Sequence, residues 1–150
     1  MKIICVGKIK ESFFKEAIKE YQKRLSKYTS LNIIEVNDYS LDNIDLILEK
    51  EKVEIQKHIS FKDYVITLEI EGNQLSSTEL SKKIEEILIE NSNIIFIIGG
   101  SYGIHKEIKE RSNYSLSFSN LTFPHQLFRV ILLEQIYRAF KIINNESYHK

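Results

Sequence analysis

The sequence predicts an α/β fold: a mainly parallel sheet flanked by helices. Three observations carry that expectation. β-rich and helix-periodic segments alternate along the chain, the pattern of βαβ units. The run 94–98, IIFII, is apolar at every position, which suits a central parallel strand covered on both faces. A length of 150 residues with 43% hydrophobic content fits one core, so residues 1–150 are expected to form a single domain. No repeat, low-complexity tract or linker interrupts it.

The elements follow in order. Residues 2–6 (KIICV) form a buried strand ended by Gly7. Phe14, Ala17, Ile18, Tyr21, Leu25 and Tyr28 then recur at steps of three or four, one face of a helix, with Ser12 as the expected N-cap. Residues 32–36 are a second strand, 37–43 a polar loop and 44–59 a strongly charged helix. Residues 64–70 are a third strand, which Glu71, Gly72 and Asn73 are expected to break. Ser76 and Glu79 form a capping box for a helix through about residue 89. The fourth strand, 94–98, closes on a turn holding Gly99, Gly100 and Gly103. A short helix at 104–111, a fifth strand at 114–118 and a loop at 119–124 lead to the longest helix, 125–143. Pro124 precedes that helix, where its fixed φ is tolerated. Residues 144–150 form a tail.

Lys plus Arg and Asp plus Glu both total 21, which excludes a globally basic nucleic-acid binder. The charge is nonetheless segregated. Residues 1–28 hold eight Lys or Arg against three Glu, residues 29–104 six against fourteen acids, and residues 105–150 seven against four. Basic ends that met in the fold, or across a dimer, would present one positive surface to a polyanion; the alternative is charge that merely solvates helices. No apolar run is long enough to span a bilayer, and the N-terminus fits no signal peptide of the usual length. Cys5, the one cysteine, allows no internal disulfide or cysteine-rich metal site. These features point to a cytoplasmic protein.

Several groups could carry chemistry. The glycines at 99, 100 and 103 end the most buried strand, where α/β sheets hold ligands; they are neither a Rossmann fingerprint nor a Walker A loop, and a plain tight turn explains them equally. The loop of Phe118, Ser119, Asn120, Leu121, Thr122 and Phe123 carries no charge. It either lines a pocket for a ligand with an apolar face, such as a nucleoside, or tucks against the core. In the last helix Arg129, Glu134, Tyr137, Arg138 and Lys141 accompany an apolar stripe of Val130, Leu133, Ile136, Tyr137 and Phe140, which is either core or a dimer seam. His125 reads as a cap or structural group before it reads as a catalyst. Tyr148, His149 and Lys150 are either a frayed end or a functional cluster. The histidines at 58, 105, 125 and 149 show no close ligand spacing, so no metal site is expected. There is no G-x-S-x-G elbow, and the loops at 99–103 and 118–124 hold no acid pair for a hydrolase.

Taken together, KIICVGKIKE at the start, VITLEIEG (65–72), IIGGSYGIHKEI (97–108), LSFSNLTFPHQLFRV (116–130), EQIYRAFKI (134–142) and the terminal SYHK resemble the large-subunit rRNA methyltransferase H family. These are pseudouridine-N3 methyltransferases of the SPOUT class, and the resemblance runs the length of the chain in order. It implies a SPOUT fold with a deep C-terminal trefoil knot, which periodicity could not show, and a homodimer that shares its active site between subunits. It implies S-adenosylmethionine as cofactor, lined by Leu68, Gly99 and the residues Phe118 to Phe123. Arg138, Tyr148 and His149 would serve substrate binding or catalysis. The substrate it implies is a pseudouridine in a 23S rRNA stem-loop on the assembled ribosome, with no metal and no membrane. The competing reading is a non-catalytic rRNA-binding or ribosome-assembly factor, which methyl-donor binding would separate. A flavodoxin-like or receiver-type module would want a flavin loop or an acidic phosphate-acceptor pocket, and neither is evident.

Overall fold

The computed structural model describes residues 1–91 and 93–149. Its elements are β1 (Lys2–Val6), α1 (Ser12–Leu25), β2 (Asn32–Val36), α2 (Ile44–Gln56), β3 (Tyr64–Gln74), α3 (Ser77–Glu90), β4 (Ile94–Ile98), α4 (Lys106–Arg111), β5 (Tyr114–Ser117) and α5 (His125–Ile143). The five strands form one sheet in the order β2-β1-β4-β3-β5, and every pairing is parallel. Among the described residues no helix is long and apolar enough to cross a membrane.

Alternate residues of β1 and β4 feed two cores, as the two-residue period of a strand requires. Ile3, Cys5, Ile94, Phe96 and Ile98 pack with Ile18 and Leu25 of α1, Leu80 and Ile84 of α3, and Leu132, Leu133, Ile136 and Phe140 of α5. Ile4, Val6, Ile95 and Ile97 pack with Ile55 of α2 and with Ile104 and Ile108 at α4. Strand β4 is third of five and buried at every position, as its composition predicts.

Several expectations change. Helix α1 begins at Ser12 and its N-cap is Glu11, with no side-chain cap bond, so Ser12 caps nothing. Glu71, Gly72 and Asn73 do not end β3: the strand runs on to Gln74, with a register shift against β5 between Leu68 and Asn73. Gly72 makes this possible, because a Cβ there would lie 2.7 Å from the Leu116 carbonyl carbon and 2.9 Å from the Ser117 nitrogen. The capping box of α3 is present, with the Ser76 N–H donating to Glu79 at 2.7 Å and the Glu79 N–H to Ser76 Oγ at 3.2 Å. In α5, Leu133, Ile136 and Phe140 of the apolar stripe are buried within the chain's own core; that stripe is core, and those three side chains are not open to a dimer seam.

Arg129 fixes the start of α5. It is 2% exposed, and its guanidinium donates to the Val6 and Gly7 carbonyls and pairs with Glu35. The last helix is thereby fastened to the carboxyl end of the first strand.

Candidate active site

A cleft of about 350 Å³ opens at the carboxyl ends of β3, β4 and β5. Open α/β sheets bind ligands beyond the carboxyl ends of their strands, and this cleft is lined from β3, β4 and β5, to one side of the β1–β4 boundary where the strand order changes direction. One wall is the turn after β4. Gly103 adopts φ +86°, a conformation favoured by glycine, and its N–H donates to the Gly100 carbonyl at 3.0 Å. Gly99 answers a different need: a Cβ there would strike the Gly103 carbonyl and come within 2.7 Å of Ile104 Cγ1.

The facing wall is the loop after β5. Phe118 packs edge-on against Phe128 of α5, with ring centroids 5.1 Å apart, and Phe123 stacks on the same ring at 5.8 Å. The two aromatics pin the loop ends, while Leu121 stands 71% exposed at the rim. The loop thus does both things its composition suggested: its ends tuck in and its middle lines a pocket. Leu68, Gly99, Phe118, Ser119, Leu121, Thr122 and Phe123 all line the cleft. Asn120 does not; it turns away and accepts from Gln74 Nε2 at 3.0 Å. His125 lines the cleft as well and is not a cap, since Pro124 holds the N-cap position of α5.

Strand β3 adds charge that the loops lack. Glu69 and Glu71 line the cleft. Glu69 accepts from Thr67 Oγ1 at 2.6 Å and pairs with Lys109 at 2.7 Å. An apparent strand interior and break concealed both acids in the sequence.

Arg138, Tyr148 and His149 come together, but outside this cleft. Glu134 is their hub. It accepts from Arg138 Nε at 3.0 Å and from the Tyr148 hydroxyl at 3.2 Å. The Arg138 guanidinium lies 4.8 Å from the Tyr148 ring centre, and its NH1 is 3.3 Å from His149 Nδ1. Burial, and then the Glu134 charge, push the Tyr148 phenol up to about 12. The tail up to here is anchored rather than frayed. Glu146 accepts from Lys141 at 2.6 Å, Lys27 at 3.0 Å and the Tyr28 hydroxyl at 3.0 Å, and these bonds hold its carboxyl down at about 2. Lys150 lies outside the described residues. In the sequence Glu134 is one of several charges on α5, and its i, i+4 spacing to Arg138 is the signal that marks the pair.

A third cluster joins Glu49, His105 and Glu107, whose side-chain ligand atoms lie within 4.8 Å of one another. The Lys52 ammonium already sits among them, 2.6 Å from Glu49 and 3.1 Å from Glu107, so the cluster is an ion-pair network with its own cation.

A parallel sheet with a glycine turn and an uncharged loop facing each other across the carboxyl end of β3 defines an α/β protein with a cleft at its strand ends, and the family can be stated: residues 1–149 match the family described as "Predicted SPOUT methyltransferase", and the chain belongs to it. Proteins named "Ribosomal RNA large subunit methyltransferase H" are close relatives. The one from Clostridium botulinum (strain 657 / Type Ba4) is 55% identical, over 99% of this chain and 98% of its own length. That from Finegoldia magna is 54% identical with the same coverage. Among solved structures, one described as a probable methylase family protein from Haemophilus influenzae Rd KW20 shares the fold with a TM-score of 0.58 at 14% identity, covering 99% of this chain and 70% of that one.

Proposed function

We propose that this protein methylates N3 of a pseudouridine in a 23S rRNA stem-loop on the assembled cytoplasmic ribosome, with S-adenosylmethionine as donor. The observation that carries the reading is the cleft at the end of β4, in a chain whose close relatives are named rRNA large subunit methyltransferases. The cleft fits the donor on its own terms. Its volume suits a nucleoside-sized ligand, its walls pair apolar surfaces at Leu68, Phe118 and Phe123 with a close-approach glycine backbone, and Glu69 offers a carboxylate. Leu68, Gly99, Phe118, Ser119, Leu121, Thr122 and Phe123 would hold the cofactor, the apolar side chains meeting the adenine faces and backbone groups its edge. Bound there, S-adenosylmethionine supplies an electrophilic methyl group.

The chain's own residues supply the remainder. The N3 proton must leave, and His149, exposed beside Arg138, can accept or relay it. Arg138, oriented by Glu134, supports the anion that develops on the base. Tyr148 stays a neutral phenol across the physiological range and serves as a surface on which the substrate base can stack. Lys15, Lys19 and Lys23, exposed on α1, suit rRNA phosphates. Since the tail cluster stands apart from the cleft within one chain, the reading includes a homodimer in which the cluster of one protomer completes the cleft of its partner. The C-terminal trefoil knot belongs to the same reading.

The test is direct. Ribosomes from cells lacking the protein are incubated with purified chain and methyl donor, and 23S rRNA digests are analysed by mass spectrometry. One added methyl at N3 of a pseudouridine is expected. Donor binding without any methyl transfer would leave a non-catalytic rRNA binder, and absence of donor binding would overturn the reading.

A further inference from the structure

Glu51 is a carboxylate buried where the proposed mechanism makes no use of it. It lies on α2 and is 3% exposed. Its two oxygens lie 3.0 and 3.1 Å from the point a Gly100 Cβ would occupy, and Val6 Cγ1 lies 3.0 Å from the same point. The carboxyl therefore fills the missing side chain of a residue that lines the donor cleft, and does so from behind, at the switch point between β1 and β4. The groups facing it leave its charge poorly met. Asp38, from the loop after β2, repels it, and the backbone N–H of Tyr39 is the donor that favours its charged form. Val6 and the 99–103 turn bring no charge. On the α4 side, Glu107 and His105 are engaged by Lys52 and Glu49.

We propose that Glu51 is a positioning residue for the donor cleft: its protonated carboxyl, packed with Val6 against Gly100, seats the 99–103 turn, and ionisation unseats it. The inference rests on the donor reading above. A neutral carboxyl can stay packed against the turn, whereas an ionised one gains by moving toward water. Gly100 packs against both oxygens, so their departure removes the support behind the turn. Burial first, and then Asp38, raise this group to about 7, so the change falls within the working range of the protein.

The experiment uses the full chain, wild type and Glu51→Gln, between about pH 6 and pH 8. The amide resonances of Gly99, Gly100 and Gly103 are followed without donor, and donor affinity is measured by calorimetry. In the wild type the three amides should titrate together, and affinity should fall about tenfold across the range, as expected when one protonation state is competent. Glu51→Gln should show neither change and hold the wild-type affinity of the acid end throughout. His125 also lines the cleft and is common to both proteins, so the difference between them isolates Glu51. Asp38→Asn is the second variant: it removes a repulsion that raises Glu51, so the midpoint of the amide titration should move toward lower pH. An identical profile in wild type and Glu51→Gln, or amide titration with no matching change in affinity, overturns the positioning role while leaving the donor site standing. Failure of both proteins to bind donor at any pH overturns the donor reading, and the positioning role with it.

Discussion

The cleft at the end of β4 and the cluster around Glu134 are built in opposite ways. The cleft is made of backbone and apolar surface: a glycine turn, two stacked phenylalanines and strand ends fixed by the most buried part of the sheet. The cluster is made of side chains. A carboxylate holds a guanidinium and a phenol, on the surface of a helix and the tail that folds back onto it. A site of the first kind discriminates by shape and is damaged by added bulk. One of the second kind handles charge and protons and is damaged by removal of a single group. The difference teaches that, on the proposed reading, donor binding and methyl transfer fall to separate parts of the chain, and variants should separate them.

The largest effect is expected from deleting residues 148–150. Methyl transfer to ribosomes should fall about 10²–10⁴-fold, the scale of a lost acid–base group, while donor affinity by calorimetry stays within about twofold. Transfer at the normal rate would reduce the tail to packing. Next, Gly99→Leu should weaken donor binding about 100-fold, because the new side chain collides with the Gly103 carbonyl and deforms the turn itself. Undiminished calorimetric affinity would move the donor elsewhere. Mixing Gly99→Leu with His149→Ala, each inactive alone, should restore activity to about a quarter of wild type if sites are shared across a two-fold interface; no recovery in the exchanged mixture would confine each site to one chain. Glu134→Gln should slow transfer about tenfold by loosening Arg138, the scale of a hydrogen bond to a charged group, with donor affinity unmoved. The smallest effect concerns the tail anchor. Glu146 is depressed from 4.5 to about 2, so the stability it lends is complete above the ordinary carboxylate range and is lost as pH falls through about 2. Thermal melts of wild type and Glu146→Gln should differ at neutral pH and converge in strong acid.

Patterns that depend on near neighbours were legible in the sequence. The all-apolar run of β4, the capping box at Ser76 and Glu79, and the helical stripe of α5 each declare themselves within a few residues. The two walls of the cleft were legible for the same reason, as a glycine turn and an uncharged loop. What escaped depends on partners far away in the chain. Glu71, Gly72 and Asn73 read as a strand break because the approach of β5 to Gly72 leaves no mark on that segment. Arg129 and Glu51 read as ordinary helix charges; their burial is decided by Val6, Gly7 and Gly100, which come from other parts of the sheet. Asn120 was grouped with its loop neighbours, although its bond to Gln74 turns it out of the cleft.

The fastening of α5 to the start of the chain bears on how the protein is made. Arg129 reaches back 122 residues to Gly7, Lys10 reaches forward 116 to Gln126, and Lys27 meets Glu146 across 119. Until α5 has emerged from the ribosome, one face of β1 and β4 is covered by α1 and α3 alone and lacks Leu132, Leu133, Ile136 and Phe140. Closing loops of this length is entropically costly before any contact repays it, and high contact order slows folding. The chain therefore keeps a partly uncovered sheet until α5 is available, and the completion of its fold waits on that one helix.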